Sequence, residues 1–234
     1  MKPQILVLFD IDGTLLLSSG CGRVATGRAM LEVFGTSGNL AGYRFQGKTD
    51  WHTLLELLEP EGFSRADIEA ALPHYESVVA RHMAEIVTDY RVYALPGALE
   101  LVDELDAHPG VLMGILTGNL PRMAQIKLQQ AGFALDKFPV TAYGSEASIR
   151  RQLVPLALER AERHCGLHFA PPDVVVIGDT PDDIDCAHSI GARAIAVTTG
   201  MTSRAELEQH PPVAVLDSLT DRETVLPLIL GARS

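Results

Sequence analysis

Five short runs of Val, Ile and Leu, separated by segments with helical periodicity, constrain this 234-residue chain more than any other feature. The runs are Ile5 to Phe9, Val111 to Leu116, Val174 to Ile177, Ala192 to Val197 and Val213 to Leu216. Each is continuously apolar instead of alternating, the pattern of a strand covered on both faces. Strand alternating with helix predicts an α/β fold, a doubly wound parallel sheet with right-handed crossovers. The punctuation agrees: Gly132, Gly166 and Gly191 each follow a helical pattern at the place where a left-handed residue ends a helix. Thr180-Pro181-Asp182-Asp183, and Ser203 with Glu206, read as capping boxes that open helices.

One stretch breaks the alternation. Between about Leu15 and Tyr90 there is no strand-like run but at least two helical patterns. Ile68, Ala71, Leu72, Tyr75, Val79, His82, Met83 and Ile86 follow the i, i+3, i+4, i+7 rule, and Ser64 with Asp67 caps that helix. The sheet-bearing unit is therefore expected from residues 1–15 and 91–234, with a helical insert over 16–90.

Charge narrows the possible partners. With 30 acidic and 19 basic residues the formal charge is −11, which disfavours binding to nucleic acid or an anionic membrane, since both need a basic face. Cys21, Cys165 and Cys186 have no paired spacing and suit a reducing compartment. The opening apolar run is short and closed by two aspartates, a poor signal peptide, and no segment approaches the ~20 apolar residues of a membrane span. A cytoplasmic protein is expected, as monomer or homodimer.

Three polar clusters sit where predicted strands end: Asp10 and Asp12, Thr117-Gly118-Asn119, and Asp179 to Asp183. Ligands of an open parallel sheet bind beyond the carboxyl ends of its strands. If the strand persists through them, Asp10 and Asp12 point to the same side. Together with Asp179 they repel one another unless a cation lies between them. All-oxygen donors without nearby Cys or His suit a hard ion such as Mg²⁺ better than zinc. Plainer readings stand beside these: a turn at Asp12-Gly13, a helix start at Thr117 and Asn119, and a capping role for Asp183, with Asp182 and Asp185 as its competitors.

"FDIDGTLLL", "ILTGN", a basic residue before a helix, and "VIGDTPDDI" stand in the order of the four motifs of the haloacid dehalogenase-like hydrolase superfamily. From Ile5 to about Val197 the chain resembles the phosphatase branch with a helical cap, which includes phosphoglycolate phosphatases and β-phosphoglucomutases. The resemblance implies a Rossmann-like core with an inserted α-helical cap domain. It implies Asp10 as the nucleophile that becomes an aspartyl phosphate, and Asp12 as the acid and then the base. It also implies Mg²⁺ held by Asp10, the Asp12 backbone carbonyl, Asp179 and Asp183. Thr117 and Gly118, with Asn119, would bind the phosphoryl group. Where the superfamily usually has a lysine, "SIRRQLVPLALERA" offers Arg150, with Arg151 as the alternative. An aspartate at position 12 favours phosphate esters over carbon–halogen bonds, because a halide leaves without an acid. In the insert, Arg44, Lys48 and His52 are candidate substrate contacts. The expected function is a Mg²⁺-dependent phosphatase of a small phosphorylated metabolite, with a phosphomutase and a non-catalytic binding module as rivals.

Overall fold

A computed structural model describes residues 4–231. In chain order its elements are β1 (Ile5–Phe9), β2 (Leu16–Leu17), α1 (Cys21–Phe34), α2 (Asp50–Leu58), α3 (Arg65–Ile86), β3 (Tyr93–Ala94), α4 (Ala98–Asp106), β4 (Val111–Leu116) and α5 (Pro121–Gln130). They continue as β5 (Val140–Ala142), α6 (Leu153–Cys165), β6 (Val174–Gly178), α7 (Pro181–His188), β7 (Arg193–Val197), α8 (Arg204–Leu207), β8 (Ala214–Leu216) and α9 (Arg222–Leu230).

Six strands form one parallel sheet in the order β5-β4-β1-β6-β7-β8. β1 is central, with Leu6 opposite both Leu112 of β4 and Val174 of β6. Successive side chains of a strand face opposite ways, so each β1 residue must find cover on its own side. Val7 and Phe9 pack with Leu101, Leu105, Leu128 and Ile229, while Leu6 and Leu8 pack with Val154, Ala157, Ile184 and Ala187. That double cover is why the run is continuously apolar.

The helices of α1, α2 and α3 enclose a separate apolar cluster that includes Met30, Leu54, Leu58, Ile68, Tyr75, Val79 and Met83. Leu120 and Met123, at the start of α5, join it from the sheet side. Ser64 and Asp67 form the expected reciprocal cap of α3. Thr180 and Asp183 do the same for α7, whereas Ser203 accepts a bond from the Glu206 N–H of α8. Gly132, Gly166 and Gly191 have φ of 94°, 69° and 73°, as helix-ending residues should.

Two expectations need correction. A strand does occur between Leu15 and Tyr90: β2 pairs antiparallel with β3, Leu16 opposite Ala94, and ties the entry of the insert to its exit. The edge strand β5 also has no counterpart among the five predicted runs. Strands of two and three residues are too short to generate a readable period. Among the described residues no helix is long and apolar enough to cross a membrane.

Candidate active site

The sheet brings the predicted acidic residues together at its carboxyl edge. Asp10 directly follows β1, and its N–H donates to the Ile177 carbonyl at 2.9 Å, so it is anchored to the neighbouring strand. Asp179 directly follows β6. Asp183 lies three residues further on, in the first turn of α7. All three are buried, at 4%, 3% and 1% exposure, and offer carboxylate oxygens within 4.8 Å of one another. Gly13, at φ 88°, makes this packing possible, because a Cβ there would overlap the Asp179 carboxylate. Thr14 Oγ1 donates to Asp179 Oδ1 at 3.3 Å.

Between the two strand ends lies Arg150, buried to 7% exposure in a single tight turn ahead of α6. Its Nη2 donates to Asp10 Oδ1 at 2.6 Å and to Asp183 Oδ1 at 2.5 Å. Arg151 is exposed, so of the two candidates it is Arg150 that meets Asp10. Asp183 carries both of its anticipated roles: Oδ2 accepts from the Thr180 N–H and Oγ1, while Oδ1 serves Arg150. Its competitors face elsewhere, Asp182 against Gly47 and Asp185 against His210.

One guanidinium faces three buried carboxylates. Burial, outweighing the attraction of Arg150, pushes the Asp10 carboxyl up to about 7, with Asp183 and Asp12 adding repulsion. Burial and the charges of Asp10 and Asp183 hold Asp179 well above the usual carboxylate range. A hard divalent cation suits this donor set, being all oxygen, closely spaced and short of positive charge.

The Asp12 carboxylate is not the third member of that cluster. The strand ends at Phe9, so the alternation that would aim Asp12 beside Asp10 does not extend to it. Asp12 Oδ2 accepts from Lys127 Nζ at 2.7 Å and Asn119 Nδ2 at 2.8 Å, and Oδ1 accepts from Ser18 Oγ at 3.2 Å. Lys127 also donates to Asn119 Oδ1 at 2.6 Å, and Asn119 Nδ2 donates to Thr117 Oγ1 at 2.8 Å. Burial works to raise the Asp12 carboxyl, but the Lys127 ammonium and these hydrogen bonds override it and hold the group below its ordinary value. Thr117 and Gly118 are buried at the end of β4, and α5 opens at Pro121.

From the other side the insert closes the site. Thr49 caps α2, accepting from the His52 N–H, and its Oγ1 donates to the Ser148 carbonyl at 3.1 Å. The Asp50 N–H donates to the Gly118 carbonyl at 2.7 Å, and Asp50 Oδ2 accepts from the Leu120 N–H at 2.8 Å. Burial raises the Asp50 carboxyl to about 6, against the pull of Lys127. A cavity of about 660 Å³ remains between sheet edge and insert, lined among others by Asp10, Asp12, Arg44, Lys48, Thr117 and Lys127. Lys48 donates to Glu56 at 2.5 Å and lies over the Tyr43 ring, and Arg44 is exposed at the rim. His52 lies 3.4 Å from Glu56.

Lys127 and Asp50 are the two site residues that sequence reasoning missed. A signal existed for the first: Lys127 falls in the buried stripe of α5, with Met123, Ala124 and Leu128. A lysine at an apolar position of a core helix needs a partner. Asp50 stands between Lys48 and His52, two candidate substrate contacts, but a carboxylate in the first turn of a helix reads as ordinary dipole matching.

A family model described as HAD-hydrolase-like matches residues 149–222. The chain is 26% identical to pyrophosphatase PpaX of Bacillus mycoides, over 96% of this chain and 98% of that one. It is 24% identical to a phosphoglycolate phosphatase of Pseudomonas putida, over 92% and 76%. A hydrolase structure from Pseudomonas syringae superposes with a TM-score of 0.71 at 22% identity, covering 97% and 99%.

Proposed function

We propose that the chain is a haloacid dehalogenase-like hydrolase, as the match over residues 149–222 and the similarity to pyrophosphatase PpaX support, and that it is a Mg²⁺-dependent phosphatase acting on a small phosphorylated metabolite. The observation that carries this reading is the meeting of Asp10, Asp179, Asp183 and Arg150 at the carboxyl edge of the sheet. The similarity to a phosphatase and a pyrophosphatase supports it.

In this reading residues 1–15 and 91–234 are the catalytic core and 16–90 the cap. One Asp10 oxygen attacks phosphorus while the bond to the leaving oxygen breaks, giving an aspartyl phosphate. Arg150 fixes Asp10 Oδ1, which orients the carboxylate for attack. The negative charge of the bound phosphate raises the Asp12 carboxyl, so that it takes up a proton, gives it to the leaving oxygen, and then takes one from the water that attacks phosphorus and releases Asp10. Thr117 Oγ1 and the Gly118 N–H hold phosphoryl oxygens, beside the start of α5. The carboxylates of Asp10, Asp179 and Asp183, with the Asp12 carbonyl, would hold Mg²⁺, which supplies the charge neutralisation that lets an anion approach a phosphate. Closure of the insert through Asp50 and Thr49 keeps bulk water from the acyl phosphate until the leaving group departs. A cavity of about 660 Å³ accommodates a small metabolite with its phosphate. Three free cysteines accord with a reducing cytoplasm.

The test is phosphate release from a panel of phosphorylated acids, sugars and nucleotides with Mg²⁺. Turnover that disappears with chelator and in Asp10→Asn is expected; full activity in that variant would refute the nucleophile. β-Glucose 1-phosphate converted to glucose 6-phosphate without free phosphate would replace the hydrolase by a mutase.

A further inference from the structure

A buried lysine outside every motif used above demands a reason. Lys127 is 5% exposed, and burying an ammonium is unfavourable unless its donors are matched. Its neighbours along α5 show that an apolar side chain would satisfy the packing at that position. The ammonium instead donates to Asp12 Oδ2 and to Asn119 Oδ1. The second bond fixes the Asn119 amide: with Oδ1 turned to Lys127, Nδ2 must point at Asp12 Oδ2 and Thr117 Oγ1, and it bonds both. Lys127 thus grips Asp12 Oδ2 twice, once directly and once through Asn119. Among the described residues, Asp12 Oδ1 accepts only from Ser18 Oγ, at the longer distance of 3.2 Å. Gly22 of α1 sits over the ammonium, where a Cβ would lie 3.4 Å from Nζ.

We propose that Lys127 is a positioning residue for proton transfer: by clamping Asp12 Oδ2, directly and through Asn119, it leaves Oδ1 as the oxygen that faces the leaving group. This rests on the reading of Asp12 as the acid and base of a phosphatase. It differs from the role of Arg150, whose hydrogen bonds run to Asp10 and Asp183. Losing the clamp harms formation of the aspartyl phosphate only to the extent that the leaving oxygen needs a proton, whereas hydrolysis of that shared intermediate, which uses Asp12 as base, slows equally for every ester. An alkoxide needs a proton to leave, while p-nitrophenolate departs without it.

The experiment compares a secondary alkyl phosphate, β-glycerophosphate, with p-nitrophenyl phosphate in wild type, Lys127→Met and Lys127→Arg, with Mg²⁺ present. In Lys127→Met, kcat/KM for the alkyl ester, which reports the steps through departure of the leaving group, should fall by about 100-fold, the scale of general acid catalysis. kcat/KM for the nitrophenyl ester should stay near wild type. Lys127→Arg, which retains a cation, should recover part of the alkyl-ester rate. If Lys127→Met does not fold, Lys127→Gln carries the same comparison. Equal losses of kcat/KM on the two esters, or none on the alkyl ester, overturn the Lys127 role while the phosphatase reading stands. A wild-type protein inert on both esters overturns that reading and the Lys127 role with it.

Discussion

Arg150 and Lys127 are buried almost equally, at 7% and 5% exposure, in opposite halves of one cavity. Their surroundings differ in charge count. Arg150 stands against Asp10, Asp179 and Asp183, and two of these, Asp10 and Asp179, are held above the ordinary carboxylate range, by burial first and then by neighbouring carboxylates. Lys127 directly bonds one carboxylate, Asp12, which two neutral donors also serve and which stays below its ordinary value. The first half is short of positive charge and invites a further cation. The second is balanced as it stands, so it can orient a group without recruiting an ion.

The largest effect that tests this contrast is expected from Arg150→Met. Removing the sole bonded cation from a buried carboxylate cluster should cost about 3–5 kcal/mol in metal-free protein. At roughly 2–4 °C per kcal/mol for a chain of this size, melting should drop by more than about 6 °C. Millimolar Mg²⁺ should restore more of the loss than it adds to wild type, because the ion then has no guanidinium to compete with. Equal Mg²⁺ shifts in the two proteins would mean that the cluster is not where the ion binds.

Lys127→Met should cost less, about 1–3 kcal/mol, since Asp12 retains Asn119 and Ser18 and is only partly buried. Mg²⁺ should not rescue it preferentially. A Mg²⁺ response equal to that of Arg150→Met would erase the distinction between the halves.

The same contrast explains what could be read in advance. The long strands were legible because burial on both faces leaves an unbroken apolar run, as in β1 and β4. β5 was not, because three residues at a sheet edge carry no period. Asp10, Asp179 and Asp183 were legible because each immediately follows a strand end or opens a helix, and Arg150 because it lies between motifs of known order. Asp12 has other neighbours than strand alternation predicts: its geometry depends on where β1 stops, and the turn at Gly13, the plainer reading of Asp12-Gly13, sets that boundary. Lys127 and Asp50 act across the gap between core and insert, so their partners lie far away in sequence, Asp12 115 positions from Lys127 and Leu120 70 from Asp50. No spacing rule reaches that far.

Asp50 supplies the finest test, because it places a second carboxylate within the field of Lys127 from the side of the insert. Its carboxyl is raised from 3.8 to about 6 by burial, partly offset by Lys127 and by the bond from the Leu120 N–H. In unfolded chains the group ionises near its ordinary value, so between about pH 4 and 6 the unfolded state loses a proton that the folded state keeps. Stability from this group is therefore fully present at low pH, declines as pH rises through that window, and is constant above it. The shift corresponds to at most about 3 kcal/mol, and incomplete burial reduces the expected effect to about 1 kcal/mol. Asp50→Asn keeps an acceptor for the Leu120 N–H without the charge. Its melting temperature should match wild type near pH 4, pull ahead between pH 4 and 6, and hold a fixed lead above pH 6. A lead of the same size at every pH would show that Asp50 ionises as an ordinary carboxylate, its burial offset in full by Lys127 and the Leu120 N–H.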